Sequence, residues 1–293
     1  MPEIYFSTAD KAISMNSDYL SFKYRPFKFF LLTTLITWAM WFAAAYSSFH
    51  EDLNAYKYVF VILGLVAPFV VAVFMVYGSG NEALKRDFWT RLTNLKLIKW
   101  KYLLIILLTM PVAVVLAVAV SSFFGKPLTQ LALSTGLYVA IFPIIQLLIS
   151  IIIAPTLEET GWRGYGVDSL RRKGRSLLVS TLIFGAVWAL WHLPLFLIKG
   201  YYHYQMLHTN IVYAANFIVD VFALAFLGNW IFYRNNRSIP GNILFHIMAN
   251  LSISMLQIEE FTKIIITVIL LLFSVVLFFR FKPWWLEMRV NVD

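Results

Sequence analysis

Three short groups of residues in this chain have the types and spacing to do chemistry. The first is Glu158-Glu159-Thr160-Gly161-Trp162-Arg163. Successive residues of a helix point about 100° apart, so the two carboxylates face different directions. Glu159 and Arg163 are four apart with the acid first, the favourable order for an ion pair. Glu158 is then left on another face with no local partner. In the second group, Trp188 and His192 share a helix face by the same spacing, and in the third so do His246 and Asn250. An unpaired carboxylate and two imidazoles are groups that take up and hand on protons. A single histidine in an apolar helix is ordinarily a packing or bridging residue. Three such clusters point to one shared functional site, with Glu159–Arg163 as a structural clamp and Glu158 as the reactive group. Trp188 and Trp191 read as packing aromatics.

The elements that carry these groups are apolar spans. The chain has 293 residues, of which 60% are hydrophobic and 13% charged. A soluble domain carries roughly 25% charged residues, so part of the solvent must be lipid. Stretches of about 20 apolar residues, enough to cross a bilayer, run from about Phe29 to Ser48, Tyr58 to Tyr77, Tyr102 to Phe124 and Ser134 to Pro155. Four more run from about Ser176 to Ile198, Asn210 to Tyr233, Pro240 to Leu256 and Phe261 to Phe279. The expected fold is all-α, a polytopic bundle of about eight transmembrane helices. The seventh span is short and holds His246, Asn250 and Ser252, so it belongs inside the bundle. Gly78–Trp100 reads as an interfacial helix or a plain loop. Three regions follow: membrane helices and an interfacial segment in 1–130, a core in 131–260, and a last span with its tail in 261–293.

Charge sets the expected orientation. With the N-terminus inside, 20 of the 24 basic residues fall on the inner side, leaving Lys57, Lys126, Lys199 and Lys263 outside. Both termini are therefore expected in the cytoplasm, in a cell (plasma) membrane. The net charge of +9 is then positive-inside bias and contact with anionic lipid, and nucleic acid is not expected as a partner. Residues 1–27 lack the apolar core of a signal peptide. Cysteine is absent, which removes disulfides, thiolate metal sites and a cysteine nucleophile. No HExxH, P-loop, GxSxG or GxGxxG occurs.

Depth tests whether the clusters can meet. Glu158 precedes Arg171 by about 20 Å of helix, His192 follows Arg175 by about 25 Å and His246 follows Arg237 by about 14 Å. They reach one level if Pro155 bends the fourth span and the helix after it dips back into the bilayer. If Glu158 lies in a cytoplasmic loop, it is too far from His192. Asp220, with Asn216 one turn earlier, reads as a buried partner in preference to a proton relay. His50, His203 and His208 read as members of an outer aromatic belt.

The three clusters together resemble the CPBP intramembrane protease family, also called the Abi or type II CAAX prenyl endopeptidase family. The EExxxR motif appears as Glu158-Glu159-Thr-Gly-Trp-Arg163, FxxxH as Trp188-Ala-Leu-Trp-His192 with Trp in the Phe position, and HxxxN as His246-Ile-Met-Ala-Asn250. Phe226–Arg234 looks like the segment that precedes the last motif, and the resemblance covers about residues 134–256. It implies an intramembrane endopeptidase acting on a membrane-associated peptide or protein, whether prenylated, leader-like or bacteriocin-like. By that resemblance Glu158 activates water, His192 shares it, His246 and Asn250 stabilise the oxyanion, and Glu159 and Arg163 brace the motif. No cofactor is required, although Glu158, His192 and His246 could hold zinc. Trp188 in place of Phe bears on pocket width. The competing readings are a non-proteolytic scaffold or regulator of a partner protein, which has no need of this costly set, and a proton-coupled transporter, which predicts inverted repeats that the chain lacks. Oligomeric state is not readable.

Overall fold

The computed structural model describes residues 24–134 and 141–288. Lys11, Lys23 and Arg289, three of the 20 basic residues expected on the inner side, and residues 135–140 of the fourth span lie outside the described residues. The rest is helical, as a chain in lipid must be to satisfy its own backbone. Helix α1 (Pro26–Ser48) starts on a proline, whose missing N–H costs nothing in a first turn. It runs antiparallel to α2 (Lys57–Tyr77). Helix α3 (Glu82–Thr93) is short and polar, begins where Asn81 accepts the Leu84 N–H at 2.8 Å, and buries Leu84, Phe88 and Arg91. Helix α4 (Trp100–Ser122) follows.

The next span departs from expectation. Residues 141–172 form one unbroken helical run, α5, built from Ile141–Leu148, a π-helical turn at Ile149–Ile153, Ala154–Gly161, a second π-turn at Trp162–Gly166, and Val167–Arg172. Pro155 does not turn the chain back. The wider π-turn just before it accommodates the residue that cannot donate and crowds the carbonyl four residues earlier. The crossing segment is accordingly Ile144–Arg172. Glu158 lies neither in a loop nor on a re-entrant helix but inside a long span.

Helix α6 (Leu177–Trp191) is capped by Ser176, and a 3-10 turn at Leu193–Leu197 leads to α7 (Tyr202–Thr209). Helices α8 (Ile211–Arg234), α9 (Ile239–Ser254), α10 (Glu260–Arg280) and α11 (Lys282–Leu286) complete the chain. Seven helices are long and apolar enough to cross a membrane. With the 16-residue α9 the count reaches the expected eight, and no named strand occurs among the described residues. Helix α9 packs among α3, α4, α5 and α8, the enclosed place its polar residues require. Large apolar side chains such as Leu35, Phe74, Leu104 and Val276 face outward, as they do on a lipid-facing surface. The chain is a multi-pass membrane protein.

The α2–α5 contact bears directly on the site. A Cβ at Gly161 would lie 2.4 Å from the Pro68 carbonyl carbon, so only glycine lets the α5 backbone sit against α2. That contact fixes the turn of α5 directly after Glu158 and Glu159.

Candidate active site

All three clusters converge on one indole. Glu158, buried at 5% exposure, accepts a hydrogen bond at its Oε2 from Trp188 Nε1 at 2.8 Å. The His246 ring meets the Trp188 ring edge-on with centroids 5.6 Å apart, and the His192 ring lies 5.9 Å from the same indole. Sharing Trp188 as a neighbour puts Glu158, His192 and His246 at one level of the bundle. Trp188 is thus more than the packing aromatic that its sequence suggests.

Hydrogen bonds set the orientation of both imidazoles. His192 Nδ1 lies 2.7 Å from the carbonyl of Trp188, one turn earlier on α6. A carbonyl only accepts, so Nδ1 carries the proton and Nε2 keeps its lone pair. His246 Nδ1 lies 3.0 Å from Glu159 Oε1, a carboxylate that likewise accepts. Its Nε2 is the nitrogen left over for other partners.

Glu159 joins α5 to α9. Arg163 Nη1 donates to Oε1 at 2.9 Å, the expected pair one turn apart on α5. Asn242 Nδ2 donates to Oε2, and His246 holds Oε1 from across the bundle. Both members of the ion pair are 1% exposed. Removing one partner of such a pair strands a charge at a cost of about 3–5 kcal/mol. The Arg163 guanidinium also lies 4.6 Å from the Phe184 ring centroid and 5.5 Å from that of Trp188. The pair is therefore a clamp, and it also aims His246. A small cavity, about 10 Å³ or room for one water, is bounded by Glu159, Arg163, Trp188, Asn242 and His246 among others.

Asn250 stands one turn beyond His246 and donates its Nδ2 to the Ser150 carbonyl in the first π-turn at 2.8 Å. An amide nitrogen has two N–H groups, so one remains. Asp220, half-buried, accepts from Thr267 Oγ1 at 3.2 Å, which bridges α8 to α10.

Three residues near the site were not read from sequence as part of it. Asn242 lies one turn before His246, and the spacing Asn242-x3-His246-x3-Asn250 was available to find it. His203 is expected in an outer aromatic belt, and Tyr201 lies two residues before it in Tyr201-Tyr202-His203-Tyr204. His50 and His208 do stack on neighbouring tyrosines at exposed positions. His203 instead turns inward, its ring 6.2 Å from that of His192 and stacked with Tyr201 at 5.7 Å. Both its ring nitrogens are buried without a hydrogen-bond partner. Burial, with His192 and Lys263 nearby, pushes it well below the usual histidine range, so the ring is neutral. Burial and the neighbouring Glu158 carboxylate push the Tyr201 hydroxyl up to about 12, so it keeps its proton.

The sequence names Glu158, His192 and His246 as the ligands of a zinc ion, were one bound. No group of three His, Asp or Glu side chains converges to hold one among the described residues. Glu158, His192 and His246 each hold a protein partner through one atom and keep a second donor atom, Oε1 or Nε2.

Comparison with known proteins now bears on this arrangement. Residues 140–252 match the family model described as type II CAAX prenyl endopeptidase Rce1-like. The curated CAAX prenyl protease 2 of Methanococcus maripaludis is 34% identical over 267 residues, spanning 91% of this chain and 98% of that relative. The chain belongs to the type II CAAX prenyl endopeptidase family and is a membrane peptidase.

Proposed function

We propose that the chain is an intramembrane endopeptidase in which Glu158 acts as general base on water to hydrolyse a peptide bond in a membrane-associated substrate. The observation that carries the reading is the shared indole: Trp188 fixes the Glu158 carboxylate at 2.8 Å and packs against both histidine rings. One oxygen of Glu158 holds the Trp188 indole N–H, and the carboxylate acts on the water through the other. His192 Nε2 shares that water through its lone pair. Glu158 takes the proton as the water oxygen adds to the scissile carbonyl. The resulting oxyanion accepts hydrogen bonds from the second Asn250 N–H and from His246 Nε2 when that ring carries its second proton. Glu159 faces that positive ring directly. Preorganised donors of this kind are worth most where water is excluded. Collapse of the tetrahedral intermediate breaks the C–N bond, and Glu158 returns the proton to the leaving amine.

The relative's name points to prenylated peptides ending in a CAAX sequence as the first substrates to try. The location follows the charge bias: a cell membrane, with both termini on the cytoplasmic side. The test is expression in membranes with a tagged, prenylated CAAX peptide, comparing wild type with Glu158→Ala and His246→Ala. Processing by wild type alone is expected, and equal processing by both variants would overturn the reading. Activity abolished by a chelator and restored by zinc would replace the water-activating glutamate with a metal.

A further inference from the structure

The region matched by the family model starts at residue 140, yet a buried arginine from outside it reaches the site's own helix. Arg91, on α3, is 3% exposed. Its Nη1 donates to the carbonyl of Arg163 at 3.0 Å and its Nη2 to that of Gly164 at 2.9 Å. Both carbonyls belong to the second π-turn of α5, Trp162–Gly166. In a π-turn the regular i→i−4 ladder is interrupted, and a carbonyl that loses its partner needs another. A planar guanidinium with parallel donors can satisfy two adjacent carbonyls at once. Asp87, one turn earlier on α3, accepts from Arg91 Nε at 2.8 Å and fixes the direction of the fork. Arg237 then ties Asp87 to Asp168 on the last turn of α5. The approach is close by design of the sequence: a Cβ at Gly164 would lie 2.7 Å from Phe88 Cε2, so only glycine admits the α3 ring.

We infer that Arg91 is a positioning residue for the active site: by bridging the Arg163 and Gly164 carbonyls it locks the π-turn that holds the Arg163 guanidinium on Glu159, and through Glu159 the His246 ring. The chain of contacts is continuous, from Arg91 to the backbone of Arg163, from the Arg163 guanidinium to Glu159 at 2.9 Å, and from Glu159 to His246 Nδ1 at 3.0 Å. A shift of the π-turn moves the clamp and so the imidazole.

This inference rests on the proteolytic reading for its kinetic consequence but not for its geometric one, so the experiment reads both. Full-length Arg91→Lys and Arg91→Ala are compared with wild type in proteoliposomes. Lysine keeps the charge beside Asp87 but cannot bridge two carbonyls, and it serves if the alanine variant does not fold. The geometric readout is the ¹⁵N signal of His246, which reports which ring nitrogen holds the proton. Wild type is expected to show Nδ1 protonated, and Arg91→Lys a changed signal. The kinetic readout is a kcat lowered on the order of tenfold to a hundredfold, as misplacement by about 1 Å does, with KM changed less than threefold. Arg171→Lys is the control, because Arg171 is likewise a buried arginine that donates to two backbone carbonyls, those of Arg175 and Glu287, away from the site. A changed His246 signal without measurable cleavage by wild type would support the positioning role while refuting the peptidase mechanism. A His246 signal identical to wild type in Arg91→Lys, or an equal loss of kcat in Arg171→Lys, would overturn the inference.

Discussion

Trp188 Nε1 donates to Glu158 Oε2 at 2.8 Å, from α6 to α5, and so fixes one oxygen of the carboxylate that the mechanism needs. The expected consequence is specific to the indole N–H. In Trp188→Phe the aromatic ring persists and the donor is lost. A hydrogen bond to a charged group is worth about 1.5–3 kcal/mol. The free energy of unfolding in detergent should fall by an amount within that range, and kcat by roughly tenfold, a 1.4 kcal/mol difference in barrier. A phenylalanine variant with unchanged kcat and melting would show that the contact is incidental.

Glu159 and Asn242 should separate clamp from catalysis. Glu159→Gln leaves Arg163 buried without its counter-charge, so a loss of about 3–5 kcal/mol is expected. Asn242→Ala removes one donor to the same carboxylate and should cost about 1.5–3 kcal/mol. Thermal or denaturant unfolding of both purified variants checks the order. A smaller loss in Glu159→Gln than in Asn242→Ala would mean that the ion pair is not the clamp.

How much of this was legible before folding is clearest at these residues. Glu159 and Arg163 announced their pairing because both lie on one turn of one helix. The same periodicity brought out Trp188 with His192 and His246 with Asn250. The bonds from Glu159 to His246 and Asn242 cross 87 and 83 residues of chain, and no spacing rule reaches that far. Pro155 misled because a proline in an apolar run ordinarily bends a helix. Here the π-turn at Ile149–Ile153 absorbs it and the span slides toward Arg172. Tyr201-Tyr202-His203 has the composition of an interface belt, and only packing against His192 and Phe217 shows that His203 points inward. Arg91 sits on a polar helix whose contact with α5 depends on glycine at 164, a reason visible only once the two backbones are placed together.

Acid should weaken the charge network under α5 in a defined window. Burial alone would raise the Asp87 carboxyl, but the Arg237 and Arg91 guanidinium groups outweigh it and hold the group below its ordinary 3.8. A carboxylate depressed in the folded state contributes stability above its unfolded value, and loses it as the pH falls through the folded one. The melting temperature of wild type should therefore exceed that of Asp87→Asn at pH 6, and the gap should close below about pH 4, near the unfolded value. A gap that is constant from pH 6 to pH 3 would contradict the assignment.

Sidedness can be read directly because the chain has no cysteine. Lys96 and Thr129 are both exposed, near opposite ends of α4. In intact cells a membrane-impermeant maleimide should label Thr129→Cys and spare Lys96→Cys until the cells are opened. Labelling of Lys96→Cys alone would invert the proposed topology.

The central claim is that Glu158 activates the hydrolytic water, and the most direct measurement is single-turnover cleavage by Glu158→Gln. The variant keeps the size of the side chain and an oxygen for the Trp188 N–H, but has no base. Cleavage of a prenylated CAAX peptide in proteoliposomes should slow by about 100- to 10,000-fold, the usual contribution of a general base, with peptide binding retained. Cleavage within tenfold of wild type by a folded Glu158→Gln would contradict the account.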